Sequence, residues 1–119
     1  MSLTAATPSN AQAMTPMRGE VKSFSDKFAL RVFPANPYPH RIRVEVRVYD
    51  ETFAPIAATV MPQAAMLAPQ DNRSFMVVVP FEGKTERRVR ICTEAVPFTD
   101  QTTRLRTQVC GRFIAYKMN

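Results

Sequence analysis

The sequence predicts an all-β sandwich, a single domain of seven short strands. Three observations lead to this prediction. Apolar and polar residues alternate along several segments, most regularly over 41–49, where Ile42, Val44, Val46 and Val48 share one face. Ten prolines and only three glycines punctuate the chain, and neither an internal repeat nor a helical period is present. A chain of 119 residues, of which 45% are apolar, is long enough for one domain with its own core.

Turn and proline residues divide the chain into seven candidate strands. In chain order they span 14–23, 27–33, 41–49, 56–61, 73–79, 87–96 and 105–117. Phe28, Leu30 and Val32 share one face of the second strand, which therefore repeats the alternation of the third. Pro62 and Pro80 follow the fourth and fifth strands, where a missing backbone N–H does least harm.

Two connecting segments complete this division. Residues 63–71 are expected to form a loop with room for one helical turn, and the polar segment 99–103 connects the last two strands. The seventh strand would be about 40 Å long at the usual rise per residue. It is therefore long enough to extend past its neighbour.

Cys92 and Cys110 each lie in an alternating segment, at 88–95 and 105–113. Two such strands joined by a polar connection are expected to be neighbours in one sheet. Cysteines that face each other near mid-strand suit the distance of a disulfide. A disulfide indicates an oxidising compartment. The alternative is two separate reduced cysteines in a cytosolic protein.

The net charge of +6 is carried mostly by arginine, and a basic surface attracts nucleic acid, anionic membrane or an acidic protein. If the third, sixth and seventh strands share a sheet, its outer face collects most of Arg41, Arg43, Arg47, Arg88, Arg90, Arg104, Arg106 and Arg112. No nucleic acid partner is expected, because within each strand no Phe or Tyr lies between these arginines. Glu45 and Glu94 are expected to pair with them across strands. An acidic protein partner is the alternative.

The sequence predicts no enzyme, no metal site and no cofactor. His40 is the only histidine, and nothing near it in the sequence suggests a nucleophile or an orienting carboxylate. Two cysteines and one histidine are too few for a four-ligand zinc site. No apolar stretch of about 20 residues occurs, so no membrane span is expected. Residues 1–13 lack the basic and apolar regions of a signal peptide and are expected to form a flexible lead before a domain at 14–119.

Five short motifs follow one another in a recognisable order. They are Thr15-Pro16-Met17-Arg18, Leu30-Arg31-Val32 followed by Asn36, Leu67-Ala68-Pro69-Gln70 followed by Ser74-Phe75-Met76-Val77-Val78, Arg88-Val89-Arg90-Ile91-Cys92 followed by Pro97, and Phe113-Ile114-Ala115-Tyr116-Lys117. Over 14–117 the chain thus resembles the N-terminal immunoglobulin-like domain of the PapD-like periplasmic pilus chaperones. One subclass of that family also joins its sixth and seventh strands by a disulfide, as Cys92 and Cys110 could do. The resemblance implies a seven-stranded immunoglobulin-like β-sandwich.

The resemblance also implies a function, that of a periplasmic chaperone-like protein of pilus or fimbrial assembly. Such a chaperone binds a pilin-like subunit that lacks a strand, and it lends alternating residues of its own last strand to fill the gap. The donor residues would be Leu105, Thr107 and Val109. The partner is then a pilin-like or other envelope protein subunit.

Two cations of the family hold the subunit's terminal carboxylate, through charge-assisted hydrogen bonds. Arg18 matches the first cation, and Arg112, together with Lys117, is the candidate for the second. Alignment on Tyr116-Lys117 puts Phe113 at the second position. Arg112 is therefore expected to share the face of the first cation only if Gly111 supports a bulge.

A second function stays open beside the first. The chain would then be a free-standing immunoglobulin-like interaction or structural module of a bacterial envelope or secretion complex, and its arginine-rich face would be the binding surface. The long last strand at an open edge also suits a strand-paired homodimer.

Overall fold

Nine strands form two packed sheets in the computed structural model, which describes residues 13–96 and 107–118. The strands are β1 Ala13–Thr15, β2 Arg18–Ser23, β3 Lys27–Ala35, β4 Ile42–Asp50, β5 Thr59–Met61, β6 Ala64–Leu67, β7 Phe75–Pro80, β8 Glu86–Val96 and β9 Thr107–Lys117. One sheet has the order β1-β3-β7-β5, and the other has the order β2-β9-β8-β4-β6. The predicted all-β sandwich is confirmed. This part of the chain offers no helix with the length and apolarity to cross a membrane.

The first predicted strand is in fact two strands that belong to different sheets. The chain changes sheet at Pro16 and Met17, so that β1 pairs with β3 and β2 pairs with β9. Ala13, expected in the flexible lead, already pairs with Ala35. Residues 1–12, the rest of that lead, lie outside the described residues. Alternation along a single segment cannot reveal which sheet each half joins, and this is why the prediction of one strand was wrong.

The loop expected at 63–71 contains a strand that was not predicted. Residues Ala64–Leu67 form β6, which pairs antiparallel with β4 from Ile42↔Leu67 to Glu45↔Ala64. Its alanines have little strand propensity of their own, so the open edge of β4 decides the conformation. The difference between seven and nine strands therefore comes from pairing partners that are distant in the sequence.

The core lies between the inner faces of the two sheets and follows the predicted alternation. Buried in it are Phe28 and Val32 of β3, Ile42, Val44, Val46 and Val48 of β4, Phe75, Val77 and Val79 of β7, Val89, Ile91 and Ala95 of β8, and Phe113 and Ala115 of β9. The rings of Phe28 and Phe81 pack at 5.1 Å between centroids. Burial of each large apolar side chain stabilises the fold by about 1.5–3 kcal/mol.

Asn36 is a buried polar residue that joins two loops at one end of the sandwich. Its Nδ2 donates to the backbone oxygens of Leu67 at 3.0 Å, Ala68 at 3.0 Å and His40 at 2.8 Å, and its Oδ1 accepts from the N–H of Tyr38 at 2.9 Å. Buried polar groups need such partners, because the protein interior offers no water to replace them. The side chain therefore acts as a structural cross-link.

Replacement of Asn36 by alanine is expected to lower the free energy of unfolding by about 2 kcal/mol, because it leaves buried backbone groups without their partner. Urea unfolding of the variant measures this loss. Asn72→Ala is the matched control, since Asn72 is an exposed asparagine of the neighbouring loop. Equal stability of Asn36→Ala and the unmodified protein would contradict the cross-link.

Candidate functional site

Strand β9 is covered by neighbours along only part of its length. β8 pairs with it antiparallel from Glu86↔Tyr116 to Ala95↔Thr107. On its other side β2 runs parallel to it, but only from Arg18↔Arg112 to Ser23↔Lys117. Among the described residues, 107–111 therefore have a strand on one side only. As far as the described residues extend, this open half of β9 presents a free sheet edge, and such an edge is a template for strand addition.

The backbone groups that face this edge follow from the register. The Cα atoms of Cys92 and Cys110 are 4.0 Å apart, which identifies them as a non-hydrogen-bonded pair of the antiparallel ladder. The even-numbered residues of β9 therefore direct their N–H and C=O groups away from β8. The N–H of Arg112 agrees, since it donates to the Met17 oxygen on the β2 side at 2.9 Å. At the open half, the outward-facing backbone groups are those of Gln108 and Cys110.

Two of the three predicted donor residues lie in the described part of β9. Thr107 and Val109 lie on the same side of β9 as the buried Gly111 and are themselves partly buried. The Thr107 hydroxyl oxygen is buried and has no hydrogen-bond partner among the described residues. Leu105 lies outside the described residues. The donor role of all three residues stays a prediction.

Arg18 and Arg112 are direct register partners at the point where β2 begins. Both ladders of β9 run without interruption, so Arg112 reaches the face of Arg18 without the bulge at Gly111 on which this alignment was expected to depend. Both side chains are exposed and line the same depression of about 470 Å³. Neither has an ion pair with another described residue. The two predicted cations are thus brought together, next to the open half of β9.

Lys117 lies apart from this pair. It is five residues beyond Arg112 at the far end of β9, about 17 Å away at the usual rise per residue. Side chains alternate along a strand, so it also points to the opposite face from Arg112. One carboxylate therefore cannot contact both residues.

Two glycines hold the arginine pair in place by close packing, and neither of these contacts was predicted. A Cβ atom on Gly111 would lie 2.8 Å from Cε2 of Phe113 and 2.9 Å from the Met17 oxygen. A Cβ atom on Gly19 would lie 3.0 Å from the ring of Phe113. The ring therefore packs against two bare backbone segments, and β2 can approach β9 closely enough to align Arg18 with Arg112. Spacing alone gives no signal for this, because the contact joins residues about 90 positions apart.

The outer face of this sheet carries the predicted charge network. Glu45 is bonded to both neighbouring arginines of β4, at 3.3 Å from Arg43 and 2.7 Å from Arg47. Arg47 also approaches Glu94 of β8 at 3.7 Å, which confirms a cross-strand pair. Partial burial opposes ionisation of Glu45, but the hydrogen bonds from the arginines outweigh it and lower the pKa of this carboxyl. Arg43 and Arg47 are therefore already neutralised within the protein, whereas Arg18 and Arg112 are not.

Cys92 and Cys110 form the predicted disulfide across β8 and β9. Their bond lies on the outer face and joins the open half of β9 to the middle of the sheet. Both cysteines are thus oxidised, and the alternative of two separate thiols is excluded for this structure. The bond anchors the one segment of β9 whose other side carries no described strand.

Comparisons with known proteins identify the fold. No protein-family model and no curated protein matches the sequence. A chain of the Salmonella enterica SafA pilin complex with the SafB chaperone aligns with a TM-score of 0.74 and 19% identity, covering 97% of this chain and 58% of that chain. The E. coli chaperone DraB aligns with a TM-score of 0.72 and 17% identity over 90% of this chain and 55% of its own. This chain thus spans little more than half the length of these structures.

A third neighbour is a single domain. The PapD-like domain 7 of human CEP192 aligns with a TM-score of 0.67 and 9% identity, and the alignment covers 100% of this chain and 93% of that domain. At such low identities these likenesses establish the fold and nothing finer. The chain has the fold of a PapD-like immunoglobulin-like β-sandwich, as its five sequence motifs predicted.

Proposed function

We propose that this protein is a periplasmic chaperone-like protein of pilus assembly that binds a pilin-like subunit by strand addition at β9. The observation that carries the proposal is that an open strand edge, residues 107–111, lies next to Arg18 and Arg112. Neither arginine has an acidic partner among the described residues. Two of the neighbours with this fold are themselves a pilus chaperone complex and a chaperone. The disulfide supports an oxidising compartment such as the periplasm.

The position of β2 limits where a partner strand can lie. β2 occupies the edge of β9 from Arg112 onward, so an added strand must end where β2 begins. Its last residue would then lie beside Arg18 and Arg112. The backbone groups of Gln108 and Cys110 would form the new ladder, and Thr107 and Val109 would contribute side chains on one face.

The charge of the arginine pair favours one direction for the partner strand. A strand parallel to β9 brings its carboxyl terminus to Arg18 and Arg112. An antiparallel strand would bring a positively charged amino terminus to the same place, where like charges repel. We therefore propose parallel addition, with the terminal carboxylate held by charge-assisted hydrogen bonds from both arginines. Each such bond contributes about 1.5–3 kcal/mol.

The test compares two substitutions of Gln108, whose N–H faces the open edge. Gln108→Pro removes that N–H without removing any hydrogen bond to β8, so we expect capture of a pilin-like subunit to fall at least about tenfold. Gln108→Ala removes the same side chain, including its bond to Glu94, but keeps the N–H, and we expect it to capture the subunit normally. The measurement is co-purification of the subunit after expression of both proteins in the periplasm.

Circular dichroism and an intact disulfide establish that both variants are folded. Substitution of Arg18 and Arg112 by alanine tests the other half of the site and should also abolish capture. If folded Gln108→Pro retains the subunit as well as Gln108→Ala does, strand addition at this edge is wrong.

The second candidate function, an interaction module that uses its arginine-rich face, is favoured by one observation. One neighbour with this fold, a PapD-like domain of human CEP192, is not described as a chaperone. Reversal of charge at Arg43 and Arg90 would then abolish partner binding, whereas Gln108→Pro would not. The internal ion pairs of Arg43 and Arg47 leave less free charge on that face than the sequence suggests.

A further inference from the structure

The arginine pair is part of a longer row. Arg90 of β8 is the register partner of Arg112 of β9, which in turn is the register partner of Arg18 of β2. Neighbouring strands are about 4.8 Å apart, so three guanidinium groups project from one line across the sheet. All three line the depression beside the open half of β9, together with Arg88 and Glu51.

Arg90 is held in this row by an aromatic ring. Its guanidinium carbon lies 5.2 Å from the centre of the Phe53 ring, a cation–π contact, and that ring also packs against Tyr49 at 6.1 Å. Phe53 has a φ of 65°, a conformation that is rare for a large side chain. The Asp50 carboxylate stabilises the turn, because it accepts hydrogen bonds from Thr52 and from the N–H of Ala54. These contacts orient Arg90 without neutralising it.

The row has more positive charge than a single carboxylate needs. Arg88 is bonded to Glu86 at 3.1 Å, but Arg18, Arg90 and Arg112 have no ion pair with any described residue. Two guanidinium groups suffice for the two oxygens of one carboxylate. The third remains available, and three adjacent like charges repel one another until anions bind between them.

We propose that Arg90 extends the site so that it prefers a chain end with two negative charges, a terminal carboxylate and the acidic side chain of the same last residue. Arg18 and Arg112 would hold the first, while Arg112 and Arg90 would contact the second. Arg90 is then a specificity residue for partners that end in Asp or Glu. This inference rests on the proposed function, because it assumes that a partner's terminus lies at the start of β2.

The test uses two peptides that copy the end of the pilin-like subunit and differ only in a final Asp or a final Asn. We expect the Asp peptide to bind about three- to tenfold more tightly, as one additional charge-assisted contact predicts. Arg90→Gln should remove this difference, because it lowers the affinity for the Asp peptide more than the affinity for the Asn peptide. Arg41→Gln is the matched control, because it removes the same charge from an exposed residue. Arg41 precedes the first residue of β4, whereas Arg90 pairs with Tyr49 near the last, so this variant should retain the preference.

A second measurement separates the two proposals. Succinate, a small dianion, is titrated into the unbound protein while the side-chain Nε–H signals of the arginines are followed by NMR, with acetate as the monoanion control. We expect succinate to shift the signals of the three arginines at lower concentrations than acetate does, and Arg90→Gln to abolish that advantage.

If both peptides bind equally, or if the preference survives Arg90→Gln, this inference is overturned and the proposed function stands. If neither peptide binds but succinate still requires Arg90, strand addition is wrong and the preference for an acidic chain end is overturned with it, although the three arginines still bind a small dianion. If neither peptide binds and succinate has no advantage over acetate, both are overturned.

Discussion

Replacement of Gly111 by valine is expected to lower the free energy of unfolding by about 3 kcal/mol and to weaken the binding of a subunit at the same time. The new Cβ atom would lie 2.9 Å from the Met17 oxygen, a backbone atom that can move only if β2 moves with it. The same oxygen accepts the hydrogen bond from the N–H of Arg112. Displacement of β2 therefore breaks that bond and separates Arg18 from Arg112.

Two measurements distinguish this mechanism from general destabilisation. Urea unfolding gives the loss of stability, and amide hydrogen exchange shows whether the N–H of Arg112 loses its protection before the core does. Gly19→Val is the matched control, since its Cβ atom would meet only the Phe113 ring, at 3.0 Å, and no backbone atom. We expect a smaller loss for this control, because a ring can adjust where a backbone cannot. A Gly111→Val variant with normal stability and a protected Arg112 amide would refute the prediction.

Removal of the disulfide by Cys92→Ala and Cys110→Ala together is expected to lower the free energy of unfolding by about 3 kcal/mol. The two cysteines are 18 residues apart, and a cross-link that closes a loop of this length restricts the unfolded chain by about that amount in the chain-entropy model. The folded state should lose local order as well. The open half of β9 has β8 as its only strand partner among the described residues, and the disulfide adds a covalent link there.

Chemical denaturation of the double variant, and of the unmodified protein with and without a reducing agent, measures this contribution. The reduced protein should have the same stability as the double variant, because both lack the disulfide. Agreement between them would show that the loss comes from the missing bond and not from the changed side chains. Hydrogen exchange should increase most at the β8-bonded amides of the open half of β9 and least in β3 and β7 of the other sheet. A double variant within about 0.5 kcal/mol of the unmodified protein would show that strand pairing alone holds this segment.

Much of the site could be predicted from residue types and their order along the chain. The alternation of Ile42, Val44, Val46 and Val48 predicted a strand with one buried face, and the structure buries all four residues. The motif that ends in Arg18 led to the first cation, and two cysteines in alternating segments led to the disulfide. The predictions of the buried face and of the disulfide succeeded because each depends on a pattern that spans only one or two strands, whereas the role of Arg18 stays a prediction.

Other features depend on partners that the sequence does not name. Whether Arg112 faces the same way as Arg18 depends on the register of β9 against β2, and the structure aligns them without the bulge expected at Gly111. The third cation, Arg90, belongs to the row only because β8 pairs with β9 in this register. A shift of one residue would send its side chain to the opposite face.

Residue types and their local order were enough for the class of the fold, the buried face of β4 and the candidate cysteine pair, because side-chain alternation is a property of single segments. Three features emerge only when the strands pair: the first predicted strand divides between two sheets, residues 107–111 have a described strand on one side only, and three arginines form one row. Those features arise from strand pairings between residues far apart in the chain. Such pairings are selected by packing of the whole sandwich, which no local segment encodes.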